Sequence, residues 1–263
     1  MCRPTVVGQE RVPTEGPLLL AANHSSWGET VLLPAMTNRV LTFAAKQELF
    51  TARGPMRLVG MFLRAVGIRP MDRSGGRASA SSMSAVLEPL LEGGAIALFP
   101  EGTRAPDDRL YKGKTGVARL ALGSGAPVVP VGLLNTRPVR RRFPPITMMW
   151  KPVIIFGEPL DFSEWAGGED DRAVLRHVTD SVMGAIQELT GQTYVDVYAA
   201  SLKSAREEGR ELVAKELPHP GYGSPLPQHP AERAAAKARK AAEAAEAAEA
   251  TAPVPESAGD VQP

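Results

Sequence analysis

This chain predicts an α/β fold: a layered mixed sheet flanked by helices and followed by a low-complexity carboxyl-terminal tail. Three observations predict it. Short apolar runs bounded by Gly or Pro, such as Leu18-Leu19-Leu20-Ala21-Ala22 and Ala95-Ile96-Ala97-Leu98, read as buried strands. They alternate with longer segments of helical character, and that alternation argues helices layered on a sheet. Beyond residue 217 the composition shifts to Pro, then to Ala with Glu, Lys and Arg. The 263 residues therefore divide into one domain, 1–217, and a tail, 218–263.

Residues 5–8 and 17–22 read as strands around the turn Pro13-Thr14-Glu15-Gly16. Residues 25–36 read as a helix that stops before Thr37-Asn38, and 40–45 as the next strand. A helix over 55–66 starts with Pro55, which suits a first turn. It is apolar almost all round, as a core or lipid-facing helix is. If it faces lipid, Phe62 and Leu63 would insert among acyl chains while Arg57 and Arg64 reach phosphates; burial in a core is the competing reading. A short strand at 67–71, a helix at 77–92 and a central strand at 95–99 follow. Residues 114–122 form a helix after Gly113, and 128–134 and 153–156 form strands. The long helix 169–190 begins with Glu169, Asp170 and Asp171, whose charges suit a helix amino terminus. Residues 218–230 carry five prolines and read as a linker. Residues 231–250 favour helix by composition but offer no large apolar residue to bury. Residues 251–263 read as disordered.

Composition excludes several classes. Apolar content of 43% suffices for a core, and a formal net charge of +1 gives no pull toward nucleic acid. The single cysteine, Cys2, rules out an internal disulfide and makes a reducing compartment the simpler expectation. Met1-Cys2-Arg3-Pro4-Thr5 has no signal-peptide pattern. No stretch reaches the ~18 apolar residues of a membrane span. Membrane contact is expected to be peripheral, on the inner face of the membrane, in a cytoplasmic protein. The histidines at 177, 219 and 229 are scattered, and no metal site is expected.

Two motifs carry chemistry. His24-Ser25-Ser26-Trp27-Gly28-Glu29 places an imidazole and a carboxylate just after an apolar run. A histidine paired with a carboxylate can take a proton from a hydroxyl. If Ser25 caps the following helix, His24 and Glu29 fall at the two positions that meet in a hydrophobic staple. A surface histidine near a helix cap is the competing reading. Phe99-Pro100-Glu101-Gly102-Thr103-Arg104 follows the central strand, with Pro100 ending it and Gly102 freeing a tight turn. In open α/β sheets ligands bind at that carboxyl edge. The competing reading is a capped turn in which Glu101 and Arg104 pair.

With both motifs in view the chain resembles the glycerolipid acyltransferase superfamily, whose best-known members are the 1-acylglycerol-3-phosphate acyltransferases. Asn23-His24 through Glu29 resembles the N-H-x4-D block, with Glu where the family usually has Asp. Gly67-Ile68-Arg69-Pro70-Met71-Asp72-Arg73 resembles the second block, residues 99–104 match F-P-E-G-T-R, and Val128-Val129-Pro130-Val131-Gly132 resembles the fourth. The blocks stand in family order over roughly residues 6 to 190.

The resemblance implies acyl transfer from a thioester, acyl-CoA or acyl-ACP (acyl carrier protein), to the hydroxyl of a lysophospholipid at a membrane surface. The first choice of acceptor is 1-acylglycerol 3-phosphate, giving phosphatidic acid, with no bound cofactor. His24 would be the base and Glu29 its orienting partner. Arg73, Arg104 and Lys112 would bind phosphate. Glu101 would bond the acceptor or hold the loop, Gly102 would admit the substrate, and Thr103 completes the site. For the three basic residues a surface ion pair is the competing reading. Asn23 and Trp27 read as structural. Ser25 or Ser26 as a nucleophile is disfavoured, because no G-x-S-x-G elbow is present. The cluster Arg137, Arg140, Arg141 and Arg142 suits a coenzyme phosphate, a carrier protein or anionic lipid, or is a solvated loop. Alternative functions are acylation of another lipid or glycolipid, and a non-catalytic lipid-phosphate binding protein, which Glu29 favours.

Overall fold

A computed structural model of the chain describes residues 3–46, 68–71, 86–140, 147–149 and 151–250. The predicted helix 55–66, the part of the predicted helix 77–92 before residue 86, Arg73, Arg141 and Arg142 lie outside the described residues, as do Cys2 and 251–263. The chain forms two units, Met1–Pro227 and Gln228–Pro263.

The first unit is built on a seven-stranded sheet of order β1-β10-β7-β2-β5-β3-β4. Its strands are β1 (Thr5–Val7), β2 (Leu18–Ala22), β3 (Leu41–Lys46), β4 (Ile68–Met71), β5 (Ala95–Leu98), β7 (Val128–Leu134) and β10 (Val153–Phe156). Neighbours from β7 to β4 run parallel; β10 is antiparallel to β7 and β1 is parallel to β10. The sheet is therefore mixed, as expected.

Among the described residues of this unit the α-helices are α1 (Glu29–Ala35), α2 (86–91), α3 (Gly116–Ser124), α4 (Arg172–Thr190) and α5 (Ala199–Glu207). All five residues of β2 are buried because both faces of the sheet are covered. Leu18, Leu20 and Ala22 pack with Leu32 and Leu33 of α1. Leu19 and Ala21 pack with Val117 and Leu120 of α3 and with Val182 and Ile186 of α4. Each fully buried Leu contributes roughly 1.5–3 kcal/mol relative to an exposed one. This double coverage explains why β2 and β5 read as unbroken apolar runs.

The strand order also positions the site. From β2 the chain passes to β3, on one side of the β2–β5 pair; from β5 it passes to β7, on the other. Connections leaving neighbouring parallel strands in opposite directions open a crevice at their carboxyl ends. Register pairs Ala21 with Leu98, so the loops carrying His24 and Glu101 leave the sheet side by side.

Several elements were not anticipated. A small sheet joins β6 (Leu110–Tyr111), β11 (Tyr194–Val195) and β12 (Glu216–Leu217), while β8 (Pro138–Arg140) pairs with β9 (Thr147–Met149). Strands of two or three residues are set by their distant partners and leave no periodicity to read. The first unit extends past the predicted boundary at 217. Gln187 donates to the carbonyl of Pro218, and residues 219–224 fold into turns that hold the chain close to α4 up to Pro227. Among the described residues of the second unit, the helix α6 (Pro230–Ala250) presents exposed side chains from residue 231 through 244. Among the described residues no helix is long and apolar enough to cross a membrane.

Candidate active site

The site begins where β2 ends. Asn23 is buried, and its side chain behaves as a further residue of strand pairing: Leu133 N–H donates to Oδ1 at 2.7 Å, and Nδ2 donates to the Leu133 carbonyl at 2.9 Å. It is structural, as predicted, and it ties the turn from β2 to β7. His24 follows, its side chain 15% exposed. Its ring stacks on Phe99 with centroids 3.9 Å apart and planes 14° from parallel.

His24 Nδ1 lies 2.7 Å from Oε2 of Glu29, whose side chain is fully buried. A carboxylate only accepts, so Nδ1 carries the hydrogen and Nε2 is left as the basic nitrogen. The predicted route to this pairing is corrected. The helix does not begin at Ser25; it begins at Glu29, with Gly28 as N-cap. A Cβ on Gly28 would come within 2.9 Å of Met149 Sδ, so β9 packs tightly over the turn. Glu29 thus opens the helix, and its carboxylate reaches back to accept from Ser25 N–H at 3.0 and 3.1 Å. Trp27, predicted to be structural, is 59% exposed, with Val31 one turn on at 61%.

The second loop is sewn to the first through the backbone of His24. Its N–H donates to Oε2 of Glu101 at 2.8 Å, and its carbonyl accepts from Ala105 N–H at 2.6 Å. The other oxygen of Glu101 accepts from Tyr111 N–H at 3.0 Å. Glu101 is buried, and of its two expected roles the geometry matches holding the loop. Burial pushes its carboxyl up to about 8, against the two backbone donors that pull it down and with the Glu29 charge adding to the rise. Gly102 takes a left-handed φ of 74°, as its turn requires.

Basic groups gather around this loop in a pattern that sequence reasoning caught only in part. Lys112 is paired with Asp196, Nζ to Oδ1 2.9 Å, and stands 6.0 Å from the Tyr198 ring centroid. The ion-pair reading fits it better than the phosphate-binding one. The lysine beside the motif is Lys114: its Cδ and Cε lie 2.9 Å from where a Cβ on Gly102 would stand, and Nζ 3.2 Å. Its backbone N–H donates to Pro100 at 2.7 Å, which sets it there. Arg104 is exposed. Behind it, Lys203 of α5 donates to the Arg104 carbonyl at 2.5 Å and to Thr103 Oγ1 at 3.3 Å. Burial and the Arg104 charge lower the Lys203 pKa. The signal for Lys114 was its short distance from the motif; for Lys203, a hundred residues further on, there was none.

Thr136 was also missed. It is buried just beyond β7, and its hydroxyl donates to Oε1 of Glu29. A groove of about 710 Å³ opens beside it, lined in part by Ser25, Arg137, Lys151 and Gln192. Arg137 pairs there with Asp108 at 3.0 Å. Two non-glycine residues on this groove, Asn135 and Lys151, hold left-handed φ values of 55° and 48°. Such backbone concentrates at functional sites.

The chain is similar to known proteins over the segment that holds His24, Glu29 and Glu101. The family model described as Acyltransferase matches residues 3–134. A chloroplastic 1-acyl-sn-glycerol-3-phosphate acyltransferase of Brassica napus is 28% identical over 132 residues, covering 50% of this chain and 37% of that protein. The match thus spans little more than a third of that relative's length. The lyso-ornithine lipid O-acyltransferase of Rhizobium meliloti (strain 1021) is 26% identical over 200 residues, covering 76% of this chain and 62% of that protein. The fold is similar to that of the 1-acyl-sn-glycerophosphate acyltransferase PlsC from Thermotoga maritima. The TM-score is 0.53 at 24% identity, over 72% of each chain.

Proposed function

Since the chain belongs to the acyltransferase family, we propose that it transfers a fatty acyl group from an acyl thioester to the hydroxyl of a lysophospholipid, with 1-acylglycerol 3-phosphate as first choice. The observation that carries this reading is the His24–Glu29 pair at 2.7 Å, held beside the Phe99–Arg104 loop at the carboxyl edge of the sheet.

His24 Nε2 takes the acceptor's proton as the hydroxyl oxygen attacks the thioester carbonyl carbon. Glu29, bonded to Nδ1, stabilises the imidazolium that forms. The tetrahedral intermediate collapses by breaking the C–S bond, and the imidazolium returns its proton to the departing thiolate. No acyl-enzyme forms. The acceptor's phosphate is held by Arg104 and Lys114, with Arg73, outside the described residues, as a third candidate. The donor is acyl-CoA or acyl carrier protein. Arg137 and Lys151, at the groove beside Ser25, support a seat for the donor's phosphates. Contact with the bilayer that contains the lysolipid is peripheral in this reading, on the cytoplasmic inner face.

A second acceptor class has specific support. The lyso-ornithine lipid acyltransferase aligns over a larger share of this chain than the Brassica relative does, so an amino-acid lysolipid belongs in any acceptor panel. The test is acyl transfer by the purified protein to 1-acylglycerol 3-phosphate, lyso-ornithine lipid and lysophosphatidylglycerol. A folded His24→Ala variant should lose about a hundredfold or more in kcat. Wild-type turnover by that variant would sink the mechanism, and no transfer to any acceptor would favour the non-catalytic reading.

A further inference from the structure

Glu29 is a fully buried carboxylate that accepts from three donors, two in the turn after β2 and one just beyond β7. Oε2 accepts from His24 Nδ1 at 2.7 Å and from Ser25 N–H at 3.0 Å. Oε1 shares the same Ser25 N–H at 3.1 Å and accepts from the Thr136 hydroxyl. Ser25 N–H therefore spans both oxygens and favours neither. Besides His24 itself, Thr136 is the donor that takes a single oxygen: it binds Oε1 alone and so leaves Oε2 to His24. Thr136 is itself well placed to hold a position. It is 2% exposed, and the strand before it is clamped at Leu133 to both ends of the Asn23 amide, the residue next to His24.

From this geometry we infer that Thr136 is a positioning residue for the base pair. It locks the Glu29 carboxylate in the rotation that holds His24 for proton transfer, and it makes the longer Glu side chain, rather than Asp, the one that reaches both partners. The inference rests on the reading of His24 as the base. The Thr136 hydroxyl is spent on Glu29, so its loss acts on kcat through Glu29.

The test is steady-state kinetics on the full chain with acyl-CoA and the best acceptor from the panel. Thr136→Val, which replaces the hydroxyl with a methyl of similar shape, should lower kcat about tenfold or more, the value of a hydrogen bond to a charged group. KM for donor and acceptor should stay within about twofold, and Thr136→Ser should recover most of the loss. In a Glu29→Gln background Thr136→Val should add little, because residues acting through one group are not additive. Glu29→Asp, drawn back by one methylene, should resemble Thr136→Val and gain little further loss from it. If Thr136→Val does not fold, Thr136→Ala is judged by the same kcat and coupling criteria. A dead His24→Ala with a fully active Thr136→Val overturns this inference alone. So does full additivity with Glu29→Gln. An active His24→Ala overturns the base reading and this inference with it.

Discussion

Glu101 answers to two backbone amides and to its own burial. The amides of His24 and Tyr111 both donate to it, and Glu101 and Tyr111 are buried. Removing the side chain in Glu101→Ala strands both donors, at about 1–3 kcal/mol each; denaturant titration should show that loss. The acid itself is held at about 8, above its ordinary 4.5, chiefly by desolvation. The native state therefore binds its proton more tightly than the unfolded chain does. The stabilisation is complete below about 4.5 and is lost as pH rises through about 8. Unfolding free energy measured from pH 5 to 8 should decline in the wild type, and Glu101→Gln should remove that component of the slope. Beside it, the two lysines can be separated by kinetics. Lys114→Ala should raise KM for a phosphorylated acceptor about tenfold, as the loss of a charge-assisted bond does. Lys112→Ala should leave that KM nearly unchanged, because Lys112 is committed to Asp196.

The loop from Phe99 to Arg104 is an element whose shape depends on a missing side chain. At Gly102, φ is 74° and the space for a Cβ is taken by Lys114. Gly102→Ala should cost about 1–3 kcal/mol in backbone strain. It should also displace Lys114 and raise the acceptor KM; a shift in melting temperature with unchanged KM would separate the lysine from the phosphate. On the opposite side of the sheet, α4 is capped by Asp171, whose Oδ1 accepts from Ala173 and Val174 N–H. The predicted helix began at 169, but the extended backbone of Asp171 makes it the cap and leaves Glu169 and Asp170 outside. Asp171→Ala should lower stability by about 1 kcal/mol, with activity untouched.

At the scale of the molecule, the first unit has its own core, and the helix α6 of the second offers no large apolar face. A chain ending at Pro227 should keep the wild-type melting temperature within about 2 °C, since surface changes away from the core contribute within about half a kcal/mol. Its acyl transfer should equal that of the full chain. A loss of activity with unchanged melting would assign the tail a part in substrate or membrane contact.

The strands at the centre were legible because β2 and β5 are covered on both faces, which forces unbroken apolar runs. The motifs were legible because His24, Glu29, Glu101 and Arg104 lie within a few residues of those strands. Sequence by itself thus determined the fold class, the edge of the sheet where chemistry is gathered, and the imidazole with its carboxylate. It misjudged the start of α1, because the Gly28 turn depends on Met149 packing from β9. It preferred Lys112 to Lys114, because which lysine faces the loop depends on β6 pairing with β11 and on Asp196 beside it. It missed Thr136 and Lys203 because their partners lie about a hundred residues away along the chain. Local pattern reports what a residue's neighbours in sequence require of it. Only the folded sheet, which brings the ends of β2, β5 and β7 together, decided which hydroxyl and which ammonium stand beside the base pair and its loop.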